Sequence, residues 1–244
     1  MLTIKRHEKI VEMLEHHEIV TLQQLTEVTG SSESTIRRDL SALEEAGRLQ
    51  RIHGGATCTH NRQDTKLAIK KTQFVREKDL MAQQAAALVD DNDFIFLDAG
   101  SSTLAMIPYM TQRNLTVVTN GLTHVQPLIE NNISVFMAGG YVKNNTYASI
   151  GDQAQQMVRN FNFDKAFIGV NGVDLDKGLT TPDPEEAALK RMALAQSDHC
   201  YFLADESKFS SVTFACITSL REDSIITHAD NHHIEAYKKY IKVG

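Results

Sequence analysis

The first part of the chain carries apolar residues at helical spacing in two stretches that end by Gly30. The first stretch, between about residues 4 and 18, has an apolar stripe made of Ile10, Val11 and Leu14. The second begins at "TLQQ", which has the form of a capping box, and Gly30 is placed to end it. Its predicted inward-facing residues are Leu22, Leu25 and Val28. Two amphipathic helices are therefore expected before residue 31.

A third helix and a hairpin are predicted next. Ser31 or Ser32 can cap the helix, and Gly47 is placed at its end. Its apolar stripe consists of Ile36, Leu40 and Leu43. The segment "RLQRIHGGA" then alternates like a strand and turns at its double glycine. Three short helices and a hairpin indicate a winged helix-turn-helix, in which the third helix enters the major groove of DNA.

The pattern changes after residue 73. A helix is predicted at about 74–89, and six short apolar segments behave as strands: "FIFLD", "LTVVTN", "ISVFMAGG", "KAFIGVNG", "CYFLAD" and "SIITHA". Their alternation with helical stretches indicates an α/β domain with a mainly parallel sheet. The polar, Lys-rich segment between the two parts has weak periodicity. We therefore expect a DNA-binding domain at 1–56, a linker at 57–73 and a second domain at 74–244.

Charge is distributed unevenly along the 244 residues, whose net charge is −6. Residues 1–78 carry 13 Lys and Arg against 11 Asp and Glu, whereas the remainder carries 12 against 20. An acidic chain does not attract nucleic acid as a whole, so a DNA-binding surface has to be a local basic patch in the first third.

The cysteines and the apolar runs bear on the cellular compartment. Cys58, Cys200 and Cys216 are odd in number and far apart, and they fit neither a disulfide framework nor a zinc motif. The charged N-terminal sequence lacks the apolar core of a secretory signal, and no apolar run approaches the roughly 18 residues of a membrane span. We therefore expect a protein of the reduced cytoplasm without a membrane partner.

The predicted third helix presents a polar face that suits a DNA duplex. With the apolar stripe turned inward, Ser34, Arg38 and Ser41 point outward, and Arg37 lies on the flank. Arginine can bond guanine in bidentate fashion, and serine can contact bases or phosphates. The candidate DNA-binding residues are Ser32, Ser34, Thr35, Arg37, Arg38, Ser41 and, in the hairpin, Arg51, His53 and Gly54. The alternative is a solvated face on which the arginines pair with Glu33, Asp39 or Glu45.

Polar residues follow three of the predicted strands. Asp98 ends one strand, and Gly100, Ser101, Ser102 and Thr103 form a loop that opens a helix, an arrangement that favours a phosphate. Ligands of open parallel sheets bind at the carboxyl ends of strands. Two neighbouring strands contribute the further candidates Thr119, Asn120, Gly139 and Gly140. The alternative for each segment is an ordinary capped loop or turn.

The histidines near the end of the chain have a spacing that metal ligands can have. His228 and His232 are four residues apart, with Asp230 between them, but no Cys or Glu-x-x-His pattern accompanies them. An exposed polar loop is the better interpretation. We expect neither a metal nor a cofactor.

The segment "SSESTIRRDLSALEEAGRLQRIHGGA" resembles the signature of the DeoR family of bacterial sugar-metabolism repressors, because "TIRRDL", "LEE" and "HGGA" occur in register. The resemblance extends to residues 74–209, which look like the sensor domain of that family. It implies a sensor fold similar to sugar-phosphate isomerases of the ribose-5-phosphate isomerase type and to CoA-transferase-like proteins. It also implies further residues near the sensor pocket, namely Thr181, Glu186, Lys190, Asp205 and Lys208.

The resemblance implies a repressor of a carbohydrate-utilisation operon, with operator DNA and a phosphorylated sugar as partners. "MLTIKRHEKI", "SSESTIRRDL" and "ASIGD" look most like repressors of fructose-utilisation operons, which suggests fructose 1-phosphate. A lactose or tagatose pathway repressor that senses tagatose 6-phosphate is the alternative within the family. Because two-fold symmetry lets one protein bind two half-sites, we expect a homo-oligomer, a dimer or a tetramer.

Two other classes of function stay open from the sequence. The first is an active phosphosugar isomerase with an accessory DNA-binding module, because carboxylates and lysines able to act as acid and base are present. The similar enzymes carry a Gly-rich loop before their catalytic lysine, whereas "TTPDPEEAALK" precedes Lys190 here. We therefore expect no enzyme activity. The second is a structural module, which leaves the polar residues at the strand ends unexplained.

Overall fold

The computed structural model describes residues 3–16, 19–45, 49–52, 54–57, 67–228 and 232–242. The chain folds as two compact units, Met1–Thr65 and Lys66–Gly244. Within the described ranges, no helix has the length and apolar character needed to cross a membrane.

The first unit is the predicted winged helix-turn-helix. Its helices are α1 (Thr3–His16), α2 (Leu22–Thr29) and α3 (Glu33–Glu45), and its strands are β1 (Ile19–Thr21), β2 (Gln50–Ile52) and β3 (Gly55–Thr57). The strands form one antiparallel sheet in the order β1-β3-β2. Strands β2 and β3 are the predicted hairpin, called the wing below.

The start and end of α2 follow its sequence signals. Thr21 accepts a hydrogen bond from Gln24 N through its hydroxyl, and the Gln24 side chain caps Thr21 N in return, which completes the predicted capping box. Gly30 ends the helix with φ 64°, a left-handed conformation that glycine adopts without strain. The prediction that Val28 faces inward was wrong, since 46% of it is exposed. Gly47 lies outside the described residues.

The second unit contains a six-stranded sheet in which all strands are parallel. Its strands, in spatial order, are β14 (Ile225–Ile226), β12 (Ser197–Leu203), β9 (Phe163–Gly169), β4 (Phe94–Leu97), β5 (Thr116–Thr119) and β6 (Ser134–Met137). These are the six apolar segments that the sequence predicts as strands. The α/β class and the parallel sheet are therefore confirmed.

Helices and two small antiparallel sheets complete the second unit. The helices are α4 (Leu67–Thr72), α5 (Val75–Ala86), α6 (Ser101–Met106), α7 (Leu122–Glu130), α8 (Asp152–Arg159) and α9 (Pro184–Ala195). The short 3-10 helices are Ile107–Tyr109, Glu206–Lys208 and His232–Tyr240. One small sheet pairs β7 (Tyr141–Val142) with β8 (Ser149–Ile150), and the other has the order β10 (Gly172–Asp174), β11 (Gly178–Thr181), β13 (Ala215–Thr218).

The parallel sheet is buried on both faces, which explains why its strands are continuously apolar. Ile95, Leu97 and Phe167 belong to the apolar core that includes α5, α6 and α7. Phe96 and Ile168, from the same strands, belong to the opposite core, which includes α8 and α9. The alternation of side chains along each strand separates the two cores.

The segment 57–73 differs from the expected linker. Its last part forms α4, and Leu67 at the start of this helix is 3% exposed. The main-chain N–H of Leu67 donates to the carbonyl oxygen of Asn145 at 2.8 Å. Because α4 is only six residues long, it spans fewer than two turns and leaves no helical periodicity to read in the sequence. Residues 58–66 lie outside the described ranges.

The order of the strands defines a switch point between β4 and β9. From β4 the chain moves outward through β5 and β6, then returns to β9 and moves the other way through β12 and β14. The loops that follow β4 and β9 therefore diverge, and the crevice between them is where open parallel sheets bind ligands. Asp98 and Gly169 stand at this crevice.

Candidate functional site

The outward face of α3 carries an arginine that has no partner among the residues that the structure describes. Ile36 and Leu40 are buried against the core of the first unit, while Ser34 and Arg38 are exposed, as predicted. Among the described residues, no group forms a hydrogen bond or ion pair with the Arg38 side chain. Arg37 instead donates to Glu33 Oε1 at 2.6 Å from Nη2. The solvated-pair alternative therefore applies to Arg37, whereas the Arg38 donors are not used by any residue in the described ranges.

The N-terminal end of α3 collects three hydroxyl groups. Ser32 Oγ lies 3.1 Å from Ser34 Oγ and 2.9 Å from Thr35 Oγ1. Ser32 Oγ also accepts from Thr35 N at 3.3 Å, so Ser32 caps the helix. The first turn of α3 thus offers hydroxyls and main-chain N–H groups together, which is a surface suited to a phosphate.

The wing contacts the same helix. Arg51 Nη1 donates to Ser41 Oγ at 2.8 Å, and Arg51 N donates to Glu44 Oε1 at 2.7 Å. The predicted DNA-binding residues Arg51 and Ser41 are therefore adjacent. Gly54 forms the turn of the wing with φ 82°, and His53 lies outside the described residues.

Asp39 is not a partner of the exposed arginines. It is 5% exposed and pairs with Arg6 of α1, with a second bond from Arg6 Nη2 to Oδ1 at 3.0 Å. His7 Nε2 lies 3.1 Å from Oδ1. Burial alone would raise the pKa of Asp39, but the hydrogen bonds from Arg6 and His7 lower it below its ordinary value. This buried pair ties α1 to α3 and holds the orientation of the exposed face.

A buried ion pair occupies the switch point of the second unit. Lys190, on α9, bonds Asp98 Oδ2 through Nζ and donates to the carbonyl oxygen of Gly169 at 3.0 Å. Asp98 Oδ2 also accepts from Gly169 N at 3.0 Å. Burial raises the pKa of Asp98 above its ordinary value, and the ammonium group of Lys190 counteracts that rise. The predicted residues Asp98 and Lys190 therefore meet at the ends of β4 and β9.

The loop after β4 has two available hydroxyls and one that is occupied. Thr103 is fully buried, and its hydroxyl donates to the carbonyl oxygen of Asp98 at 2.6 Å, so it supports the loop. Ser101 and Ser102 are half-buried, and no group among the described residues bonds their side chains. These two residues begin α6, where the first main-chain N–H groups also lack helical partners.

A histidine that the sequence analysis did not single out holds this loop. His124 is fully buried, and its Nε2 lies 3.2 Å from Thr103 Oγ1. Because the Thr103 hydroxyl gives its proton to Asp98 O, Nε2 of His124 has to carry a proton in this contact. Burial, with a smaller effect from the charge of Lys71, lowers the pKa of His124 to about 3. Gly121 has no Cβ, and one added there would lie 2.3 Å from His124 Nδ1.

The ends of β5 and β6 lie next to the loop that follows β4. Asn120 accepts from Ala99 N at 2.8 Å through its side chain and donates to Ser149 O at 3.3 Å, so it joins the loop after β4 to β8. Thr119 is buried and accepts from Gly121 N at 3.0 Å. Gly140 has φ 142°, and a Cβ there would lie 2.5 Å from Ile150 O. At Gly139, by contrast, an added Cβ would meet no atom within 4 Å among the described residues. These residues shape loops through internal bonds.

Glu186 and Thr181 contact other partners than the buried ion pair. Glu186 Oε1 accepts from Lys143 Nζ at 2.7 Å and from Thr146 Oγ1 at 3.1 Å. Thr181 Oγ1 donates to Asn171 Oδ1 at 3.1 Å. Glu186 and Lys190 are both buried on α9, but Glu186 bonds residues between β7 and β8, whereas Lys190 bonds Asp98.

The loop after β12 adds a second cluster of lysines and a carboxylate. Lys208 Nζ lies 3.6 Å from Asp205 Oδ1 and donates to Ser207 Oγ at 2.9 Å. Lys78, near the start of α5, is 6% exposed, and burial lowers its pKa to about 8 against the attraction of the Asp205 carboxylate. The sequence did not indicate that Lys78 is buried near Asp205, because this position depends on how distant segments pack together.

Metal ligation finds no support in the described part of the chain, where no three His, Cys, Asp or Glu side chains are grouped to hold an ion. His228 is exposed. Asp230 and the side chain of His232 lie outside the described residues.

Comparison with known proteins gives consistent matches along the chain. Residues 6–62 match the family model of the DeoR-like helix-turn-helix domain, and residues 73–229 match that of the DeoR C terminal sensor domain. The uncharacterized HTH-type transcriptional regulator FruR of Bacillus subtilis is 44% identical over 229 residues, which cover 93% of this chain and 91% of that protein. The lactose phosphotransferase system repressor of Staphylococcus epidermidis is 32% identical over 247 residues, with 98% and 97% covered.

Solved structures show a weaker likeness. Ribose 5-phosphate isomerase A from Neisseria gonorrhoeae superposes with a TM-score of 0.40 and 16% identity, over 55% of this chain and 53% of that chain. A likeness at this level carries no argument about activity.

Proposed function

The chain belongs to the DeoR family of transcriptional regulators, and we propose that it represses a carbohydrate-utilisation operon until a phosphorylated sugar binds the second unit. The first unit binds the operator through α3 and the wing. The second unit is the sensor. Relatives of the chain that are named as a transcriptional regulator and as a repressor support this function.

On the DNA side, the proposal depends on Arg38. Its exposed side chain lies between Ser34 and Ser41 on one helix face and is not bonded within the described part of the chain. It has the donors from which guanine N7 and O6 accept hydrogen bonds. The hydroxyls of Ser32 and Thr35 and the Arg51 side chain are proposed to contact phosphates and set the register of the helix in the groove. Two copies related by a two-fold axis are proposed to bind two half-sites.

On the sensor side, the single observation that carries the proposal is the buried Asp98–Lys190 pair at the switch point, followed in the same loop by Ser101 and Ser102, whose hydroxyls have no partner among the residues described. Asp98 is proposed to accept from a sugar hydroxyl, and Ser101 and Ser102 to bond the phosphate. Because α6 is only six residues long, its first N–H groups act mainly as local donors. Lys208 adds a charge at the next loop.

Fructose 1-phosphate is the proposed effector, and tagatose 6-phosphate is the alternative. The first is favoured by the resemblance to fructose-operon repressors, and the second by the similarity to a lactose phosphotransferase system repressor. An effector changes DNA affinity only by the difference between its affinities for the two states of the protein. Release from DNA therefore requires that the DNA-competent form of the protein binds the sugar phosphate less tightly than the DNA-incompetent form does.

The test uses the full chain and an operator selected from a pool of random duplexes. We expect fructose 1-phosphate, and not fructose, to raise the melting temperature and to release the protein from that duplex. Ser102→Glu should bind the duplex but ignore the sugar phosphate, because a carboxylate repels it, whereas Thr111→Glu, at an exposed loop position, should respond normally. If no sugar phosphate binds, or if Ser102→Glu responds like the unaltered protein, the proposed sensor site is wrong.

Absence of turnover and self-association are the remaining parts of the proposal. Incubation with ribose 5-phosphate and with hexose phosphates should give no isomerisation above background. Light scattering at micromolar concentration should give an even multiple of the 27.2 kDa chain mass. A monomeric mass, or turnover that Lys190→Ala abolishes, would contradict the respective part.

A further inference from the structure

The helix α4 brings two lysines to the loop after β4. It packs against α6, whose first residues are Ser101 and Ser102. Lys70 is half-buried and Lys71 is exposed on this helix. The charge of Lys70 acts on Asp98, and the charge of Lys71 acts on His124, the residue that supports Thr103. Both lysines therefore lie within electrostatic reach of the same short loop.

The position of α4 is held from both ends. At its start, Leu67 is buried and its N–H donates to Asn145 O at 2.8 Å. At its end, Lys78 Nζ donates to the carbonyl oxygens of Lys70 and Gln73, the latter at 2.9 Å. Lys78 thus gives its protons to the main chain and fixes the corner between α4 and α5. Lys70 and Lys71 are presented by a docked helix.

Lys71 and two hydroxyl groups near the loop have no bonded partner among the described residues. Asp98 is bonded directly to Lys190. Lys71 has no bonded partner among the described residues, and Ser101 and Ser102 have none either. A phosphate monoester dianion accepts hydrogen bonds from ammonium groups and from hydroxyls.

We propose that Lys70 and Lys71 of α4, together with Ser101 and Ser102, bind the phosphate of the sugar phosphate. This inference rests on the proposed function and adds the residues that select a phosphorylated over an unphosphorylated sugar. It also makes α4, the first helix of the second unit, part of the effector site. A bound phosphate then contacts α4, the segment by which the chain enters the second unit after the DNA-binding unit.

Titration calorimetry with the full chain measures its affinity for fructose 1-phosphate, for fructose and for inorganic phosphate. Lys70→Gln and Lys71→Gln should each weaken binding of both phosphates about tenfold, the loss of one charge-assisted hydrogen bond. Lys71→Arg should retain most of the affinity. Lys177→Gln, which alters an exposed lysine in a turn, is the matched control and should change the affinity less than about twofold. Melting temperatures without ligand should stay unchanged in all variants.

The outcomes separate this inference from the function on which it rests. If the unaltered protein binds fructose 1-phosphate and the Lys70→Gln/Lys71→Gln double variant binds it equally well, the inference is overturned and the proposed function stands. If the double variant loses fructose and fructose 1-phosphate alike, the lysines contact the sugar and the phosphate assignment is wrong. If no sugar phosphate binds the unaltered protein, both fail.

Discussion

Arg38 in the first unit and Lys190 in the second are both cations on helices, but they differ in burial and in bonding. Arg38 is exposed and has no partner among the described residues, whereas Lys190 is 4% exposed and bonded to Asp98 and Gly169. A side chain that recognises an external duplex has to keep its donors free. A buried charged side chain has to be satisfied internally, because an unpaired buried charge is costly. Loss of Arg38 should therefore affect binding, and loss of Lys190 should affect the fold.

The largest effect is expected from Lys190→Met. It leaves the carboxylate of Asp98 buried without its partner, and removal of one member of a buried pair costs about 3–5 kcal/mol. Urea unfolding of the second unit should show this loss. The double variant Lys190→Met/Asp98→Leu should recover much of the stability, because it removes both charges.

Arg113 and Asp91 provide the matched surface pair. Arg113 Nη2 lies 2.8 Å from Asp91 Oδ2, and 84% of the Arg113 side chain is exposed. Arg113→Met should change the free energy of unfolding far less than Lys190→Met does, because solvent screens an exposed pair. Equal losses for Lys190→Met and Arg113→Met would remove the distinction between a buried cation and a surface cation.

The next effect is expected from Arg38→Ala, in binding and not in stability. Loss of a bidentate base contact should weaken operator binding by about 1–3 kcal/mol, with an unchanged melting temperature. Arg37→Ala should weaken it less, because Glu33 already holds the Arg37 side chain. Fluorescence anisotropy with the selected duplex measures both. Normal binding by both variants would show that α3 is not the recognition helix.

The third prediction concerns pH. The folded protein holds His124 neutral with a pKa of about 3, whereas the ordinary value is 6.5. Protonation below pH 6.5 therefore favours the unfolded chain, so stability is complete above pH 6.5 and falls as the pH decreases toward 3. Between pH 7 and pH 5 the loss through this residue is about 2 kcal/mol. His124→Gln does not titrate, and its stability should fall by that much less over the same interval in urea unfolding.

The first unit was predictable because its signals are local. The capping box at Thr21, the left-handed Gly30 and the apolar stripe around Ile36 each act within one or two helical turns. They define the three helices and the face on which Arg38 lies. The error at Val28 arose because spacing alone does not give the width of the buried face.

Much of the sensor site was decided by the tertiary structure. The sequence alone determined the six apolar strands and the polar residues at their ends, because buried parallel strands need continuous apolar runs and loops carry the polar groups. It did not determine the order of the strands, which places β9 beside β4 and so brings Lys190 to Asp98. It also gave no sign of α4, His124 or Lys78, whose positions depend on contacts between residues distant in the sequence. Local propensity specifies elements, whereas the partner of a buried charge is specified only when the elements pack together.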